Sequence, residues 1–370
     1  MDTIRHTPPS RHSGPGRRAF LAAGSGLLGL LVVGAAATTT QPRPGAAVAS
    51  AQGPAERLRL GFFPNLTHAP ALVGTGLGLF EKELGGEGTA FRASVFGAGP
   101  AAVEALNAGA IDAAYLGPNP AIAAYVSSGG RGLRILAGAA AGGAQLVVRP
   151  GIDSPAALAG GTLATPQLGG TQDVALRSWL ARGQLSATLR GGDVAIAPTA
   201  NAQSLELFRS GQIDGAWLPE PWASRLVVEA GAEVLVDEAD LWDGSETGTR
   251  GLFPTTVLAV SPEFAARHPD SVEALLRGHL AALDWIHRTD RDTVSATLND
   301  RLAEIAGAKL DARVMGRALD RLHFTADPLT GAYPRLLRDA VAVGLAEPGE
   351  LDGLVDGEPL LRAKAKETAS

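Results

Sequence analysis

The sequence predicts an α/β protein of two lobes with a helical layer at its C-terminal end. Short apolar runs alternate with amphipathic helical stretches from Leu58 to Val260, and from Pro262 onward only helical periodicity remains. One structural phrase occurs twice, 102 residues apart. Finally, 370 residues with 45% hydrophobic and 19% charged side chains suit two lobes with real cores and exclude a disordered chain.

Composition removes several functions. Zero Cys excludes disulfides, thiolate catalysis, iron–sulfur clusters and Cys-based zinc sites. A net charge of −6 and an aromatic content of 5% argue against a nucleic-acid surface and against base-stacking platforms.

Residues 1–51 read as an export signal of the twin-arginine type. Arg5, Arg11, Arg17, Arg18 and Arg43 face one acid, Asp2, and no charge occurs from Ala19 to Thr40. A basic segment, an apolar segment and the small-residue site Ala49-Ser50-Ala51 follow in the order of an export signal, with Arg17-Arg18 before Ala19-Phe20-Leu21 as the twin arginine. The alternative is a retained anchor, since 22 uncharged residues just span a bilayer. Without Cys there is no lipobox, so a Cys-linked lipoprotein is excluded. The expected workplace is the periplasmic or cell-surface side of the cytoplasmic membrane.

Beyond the signal, strands are expected at 58–62, 90–96, 111–115, 133–137, 145–149, 161–164, 194–197, 213–218, 234–236 and 255–260. Helices are expected between them at 69–84, 100–108, 121–127, 171–181, 202–210 and 222–230, then at 269–288, 291–306, 311–321 and 334–343.

The repeated phrase reads Gly109-Ala110-Ile111-Asp112-Ala113-Ala114-Tyr115-Leu116 in one copy and Gly211-Gln212-Ile213-Asp214-Gly215-Ala216-Trp217-Leu218 in the other. Each is a helix stopped by a C′ glycine, then a short strand. A Pro-rich loop follows, Gly117-Pro118-Asn119-Pro120 or Pro219-Glu220-Pro221. Loops after the carboxyl ends of parallel strands are where α/β proteins bind ligands, so both are expected to face one crevice.

Four loops have the chemistry for it. Pro64-Asn65-Leu66-Thr67-His68-Ala69-Pro70 carries capping residues before a helix start, where free N–H groups form an anion site. Gly97-Ala98-Gly99-Pro100 lets backbone approach a ligand. Gly117-Pro118-Asn119-Pro120 and Pro166-Gln167-Leu168-Gly169-Gly170-Thr171-Gln172-Asp173 complete the set, with Trp217 and Glu220 opposite. Together they suit a small anion held by helix N-termini and neutral donors. The competing reading of each loop is plain helix capping.

His68 is expected to be a cleft-lining donor; no second His or Cys lies at metal-ligand spacing, so no metal or other cofactor is expected. Glu220 either pairs with an Arg such as Arg225 or Arg250, bracing its loop, or accepts from a ligand; facing the pocket un-neutralised, it would repel an anion. Trp217 is expected to end its strand at the cleft, so that Trp217→Ala weakens binding and leaves the fold intact. No nucleophile elbow, Walker A loop or His-Glu-x-x-His motif is present, and no catalytic residue is expected.

Four strings in this order resemble the aliphatic sulfonate, taurine and nitrate substrate-binding proteins of ABC transporters. They are Leu60-Gly61-Phe62-Phe63-Pro64-Asn65-Leu66-Thr67-His68, Gly117-Pro118-Asn119-Pro120-Ala121, Thr165-Pro166-Gln167-Leu168-Gly169-Gly170-Thr171-Gln172-Asp173 and Trp217-Leu218-Pro219-Glu220-Pro221-Trp222. The resemblance runs from about residue 58 to about 328. It implies a periplasmic-binding-protein fold of the second type, with the chain crossing twice between lobes: 52–142 in lobe 1, 143–250 in lobe 2, and 251–370 returning to lobe 1 with C-terminal helices. It also implies a monomer that closes its cleft on a small anionic ligand and presents it to a membrane permease. Carried onto this chain, the ligand residues are Asn65, Thr67, His68, Gly99 and Asn119 from one side, and Gly143, Thr171, Gln172, Trp217 and Glu220 from the other. The expected ligand is organosulfonate-like; nitrate, taurine or a thiamine pyrimidine precursor are alternatives, as is a sensor role. Two enzymes that resemble this fold, a pyrimidine-precursor synthase and an aromatic sulfinate desulfinase, depend on a cysteine that this chain lacks.

Overall fold

The structure, a computed structural model, describes residues 52–188 and 192–368; the expected export signal lies outside them. Twelve strands run in chain order: β1 (Arg57–Phe62), β2 (Ala90–Val95), β3 (Ala113–Leu116), β4 (Arg134–Gly142), β5 (Ala144–Val148), β6 (Thr162–Thr165), β7 (Ala187–Thr188), β8 (Val194–Pro198), β9 (Gly215–Pro219), β10 (Glu233–Asp237), β11 (Pro254–Val260) and β12 (Leu322–Phe324). They form two sheets, ordered β12-β4-β11-β3-β1-β2 and β10-β5-β9-β6-β8-β7.

The sheets share one plan. In the first, β1 lies parallel between β2 and β3, and β11 then β4 add antiparallel beyond β3. In the second, β6 lies parallel between β8 and β9, and β5 then β10 add antiparallel beyond β9. The repeated phrase supplies β3 and β9, and its residues do the same work in each sheet. Gly109 and Gly211 end their helices in the left-handed region, at φ 64° and 82°, which glycine enters without the Cβ penalty. Ile111 and Ile213 are buried below.

The aspartate of the phrase pins the incoming strand. Asp112 accepts the Arg59 N–H at 2.8 Å through Oδ2, while its own N–H donates to the Arg59 carbonyl at 2.9 Å. Asp214 accepts the Thr162 N–H at 2.8 Å and donates to the Thr162 carbonyl at 2.8 Å. A carboxylate is needed because the N–H of β1 or β6 at that point has no strand partner beside it.

All ten strands expected from the sequence appear, with shifted ends. β4 runs on to Gly142 through Gly138-Ala139-Ala140-Ala141, where small residues give no strand signal but β11 and β12 pair on both sides. β7 and β12 escape notice because two or three residues carry no periodicity. The helix expected over 69–84 is two, Ala69–Gly76 and Leu79–Gly86, parted at Gly78. Short helix Pro262–Arg267 and terminal helix Glu358–Thr368 are additional.

Apolar packing follows the same logic. One cluster buries Leu58, Leu60 and Phe62 of β1 against helices Ala69–Gly76, Leu79–Gly86 and Pro269–Arg288. A second joins the sheets directly: Leu116, Ile135 and Val257 of the first pack with Leu146, Leu163 and Trp217 of the second.

Asp112→Ala and Asp214→Ala are each expected to cost about 1–3 kcal/mol, the range for leaving a buried donor unpaired. Asp214 should lose less, because its side chain is 39% exposed against 9% for Asp112. Urea denaturation measures this; unchanged midpoints would show that the aspartates do not pin the strands.

Candidate functional site

A cavity of about 50 Å³ lies where the parallel strands of both sheets end. Phe63, Asn65, Thr67 and His68 reach it from the loop after β1, Gly97, Ala98 and Gly99 from that after β2, and Gly117 and Pro120 from that after β3. From the second sheet come Pro166, Gln167, Gly170, Thr171 and Gln172 after β6, Asn201 after β8, and Pro219 at the end of β9. Thr255 and Thr256 of β11 close the wall. No Asp, Glu, Lys or Arg side chain lines it.

Five helices begin there: Ala69–Gly76, Gly99–Asn107, Pro118–Ser127, Thr171–Arg182 and Asn201–Arg209. Their N-cap residues are His68, Ala98, Gly117, Gly170 and Ala200, and none places a side-chain bond on its helix. Away from the cavity, Ser261, Asp290 and Asp311 do cap theirs, although Gly78, His268 and Ala332 do not. The first N–H groups of an uncapped helix have no intrahelical acceptor and carry the positive end of its dipole. Pro118 and Pro120 supply no N–H, so helix Pro118–Ser127 contributes mainly its dipole; Gly99, Thr171, Gln172 and Asn201 offer amides.

The side chains add neutral donors. His68 is buried, and its Nδ1 accepts the Phe63 N–H at 3.2 Å, which puts the ring proton on Nε2. Burial lowers its pKa to about 3, so the ring is a neutral donor across the physiological range. Gln167 Nε2 and Asn201 Oδ1 are buried without a partner. Such atoms are costly unless something polar fills the space between them.

Contacts between the two sets of loops hold the cavity shut. Trp222 Nε1 donates to Asn65 Oδ1 at 2.9 Å, and the Asn119 N–H donates to Thr171 Oγ1 at 3.4 Å. Gly117 permits the second contact: a Cβ there would sit 2.6 Å from Thr171 Oγ1.

Of the residues expected at the site, Asn65, Thr67, His68, Gly99, Thr171 and Gln172 line the cavity, and four others do not. Asn119 turns its side chain away, Nδ2 donating to the Leu336 carbonyl at 3.2 Å. Gly143 stands at the β4–β5 crossing, tight against Leu322. Trp217, expected at the cleft, is fully buried in the core, edge-on to Trp179, with Nε1 donating to Glu238 at 2.8 Å. Alternation along β9 turns Trp217 to the packed face and leaves Pro219 at the cavity. Glu220 is fully buried and pairs with Arg317, not with Arg225, which pairs with Glu229, nor with Arg250.

Gln167 lies inside a loop already singled out, but Asn201 and the Thr255-Thr256 pair were missed. A polar residue opening a helix after a strand was the available signal for Asn201; β11 is antiparallel and offers none. Among the described residues, no group of three metal-ligating side chains is placed to hold an ion, and no helix is long and apolar enough to cross a membrane.

Residues 51–299, more than half of the chain, match the model of the NMT1-like family. The chain belongs to the NMT1-like family. Its fold is that of type II periplasmic-binding proteins, as solved structures show. The alkanesulfonate-binding protein SsuA of Xanthomonas axonopodis pv. citri, bound to MOPS, superposes with a TM-score of 0.67 at 22% identity, covering 82% of this chain and 99% of that one. The periplasmic nitrate-binding protein NrtA of Synechocystis gives 0.70 at 15% identity, covering 85% and 90%. DszB in complex with biphenyl-2-sulfinic acid gives 0.56 at 18%, covering 84% and 99%, so the fold also carries an enzyme. In sequence, the nitrate import ATP-binding protein NrtC of Synechocystis sp. is 28% identical over 114 residues; the match spans 31% of this chain and 15% of that relative.

This NMT1-like chain should lose its fold, not only its ligand, when Trp217 is removed: Trp217→Ala is expected to cost about 3–5 kcal/mol. Its partner Glu238 carries a pH signature. Burial raises the Glu238 carboxyl to about 7, above its ordinary 4.5. The folded state therefore holds the proton more tightly, and this contribution is lost as pH rises from about 4.5 to about 7. Glu238→Gln should gain about 1–3 kcal/mol relative to the unaltered chain between pH 5 and pH 8. Urea midpoints at both pH values decide it; an equal difference at both would refute the assignment.

Proposed function

We propose that the protein is an exported solute-binding protein that captures a small organosulfonate-like anion and delivers it to an ABC importer. The observation that carries this reading is the cavity itself: five helix starts without capping side chains, buried neutral donors, and no charged side chain in the wall. Partial charges fixed in a desolvated pocket favour an anion without burying a countercharge. At roughly 10–15 Å³ per water-sized group, about 50 Å³ suits an oxyanion head of about four heavy atoms. The sulfonate and nitrate relatives support the same class.

The lining also speaks to selectivity. No carboxylate is present to receive an ammonium, so an amino-sulfonate such as taurine would bury its amine unpaired. Nitrate is the second reading, favoured by the small volume. A transport role rather than catalysis is supported by a wall without a charged acid or base, where the one imidazole is neutral and already engaged through Nδ1.

The mechanism follows from where the donors sit. Those on the β1–β3 loops and those on the β6–β9 loops reach one ligand only when the two sets approach. The ligand then favours the closed arrangement by its differential affinity. The Asn65–Trp222 and Asn119–Thr171 bonds belong to that arrangement. Export by the twin-arginine route, a monomeric state and the lobe boundaries at 142 and 250 are part of the proposal.

Isothermal titration of residues 52–370, refolded to strip carried-over ligand, tests it with ethanesulfonate, nitrate, taurine, sulfate and a thiamine pyrimidine precursor. Ethanesulfonate is expected to bind at least about tenfold more tightly than taurine. His68→Phe should weaken it about tenfold or more, the loss of one buried donor. Because the His68 donor is neutral, affinity should stay flat from pH 6 to pH 8; a fall of about tenfold per pH unit would mean an imidazolium donor instead. Binding of the pyrimidine alone would overturn the anion reading.

A further inference from the structure

We propose that Arg317, which does not touch the cavity, sets its anion affinity by cancelling the charge of Glu220 directly behind the wall. The inference rests on the anion reading above. Pro219 lines the cavity, and the next residue, Glu220, turns its side chain into the interior, where it is fully buried. Its backbone N–H donates to the Gly143 carbonyl at 2.8 Å, fixing it at the crossing from β4 to β5. One carboxylate oxygen accepts the Ser224 N–H at 3.0 Å, closing the start of helix Trp222–Ala230. The other accepts from Arg317 Nη1 at 3.3 Å.

Arg317 comes from helix Ala312–Leu319, 97 residues further along, and is itself largely buried. It is held in place on every side: Nη1 also donates to Ser224 Oγ at 2.7 Å and Nη2 to Gln145 Oε1 at 2.6 Å, and Gln145 Nε2 donates to Asp237 at 2.6 Å. The charged groups around Glu220 are thus Arg317 and Arg321 from the segment of helix Ala312–Leu319 and its C-terminal continuation, and Asp237 from β10. Helix Trp222–Ala230 faces it with Ser224, and β5 with Gln145.

A buried carboxylate is poorly screened by salt, and the cavity holds no cation to offset one standing behind its wall. An anion in the cavity therefore depends on Arg317 keeping the pair neutral. The same residues also brace the fold, and the two roles predict different double mutants.

Titration of nitrate and ethanesulfonate into the unaltered chain, Arg317→Met, Glu220→Gln and the double variant separates them. Arg317→Met is expected to weaken both anions at least about fivefold at pH 8, whereas the double variant returns to within about twofold of the unaltered chain. Lowering the pH to 5 should restore Arg317→Met and leave the double variant unmoved. Burial already raises the Glu220 carboxyl, and without the cation it takes up a proton, which removes the repelling charge. A double variant as weak as Arg317→Met, or an Arg317→Met with unchanged affinity, would overturn the proposal. Should Arg317→Met fail to fold, Arg317→Lys decides: it keeps the charge and should bind within about threefold, and a larger loss contradicts the charge role. No anion binding by the unaltered chain would instead overturn the function proposed above.

Discussion

Every α-helix begins with backbone donors that it cannot satisfy by itself, and this constraint governs how the molecule is built. Elsewhere the chain answers it with side chains: Ser261, Asp290 and Asp311 cap their helices, and Glu220 receives the Ser224 N–H. Around the cavity the N-caps are Ala98, Gly117, Gly170, Ala200 and a histidine turned to another partner. Donors left open on five helices, with Gln167 Nε2 buried and unpaired beside them, leave a space that is complete only when something negative fills it.

The two sheets provide the geometry. Each repeats a parallel trio with an antiparallel pair beyond it, and each is locked by an Ile-Asp pair at the same point. Equal plans bring equal loops to one place, so the crevice receives helix starts from both sheets. The sheets meet through shared apolar packing around Trp217, Leu116 and Val257, and through Gly117, whose missing Cβ lets Thr171 approach. Charge is kept out of the wall and compensated behind it, in the Glu220–Arg317 pair.

Much of this was legible in the sequence for a physical reason. Strand ends, Pro and Gly breakers and helix starts are local features, so the loops carrying Asn65, His68, Gly99, Gly117 and Thr171 could be placed on one face from spacing alone. The resemblance to sulfonate, taurine and nitrate binding proteins rested on those loops too, and the NMT1-like match and the superposition on SsuA and NrtA agree with it. What failed was not local. Whether Trp217 faces the cavity or the core depends on the pleat phase of β9 against Trp179, and whether Glu220 meets a ligand or an arginine depends on a residue in a distant helix. Thr255 and Thr256 sit on an antiparallel strand that no loop rule covers, and the two- and three-residue edge strands are defined by pairing, not by pattern.

The account stands on anions being held by helix-start amides. The most direct measurement is a nitrogen–proton correlation spectrum of the refolded protein titrated with ethanesulfonate or nitrate. The amides of Gly99, Thr171, Gln172 and Asn201 should move downfield together, with the His68 ring proton remaining on Nε2. Saturable binding that leaves these four amides in place, with shifts confined to the outer surface, would contradict the account.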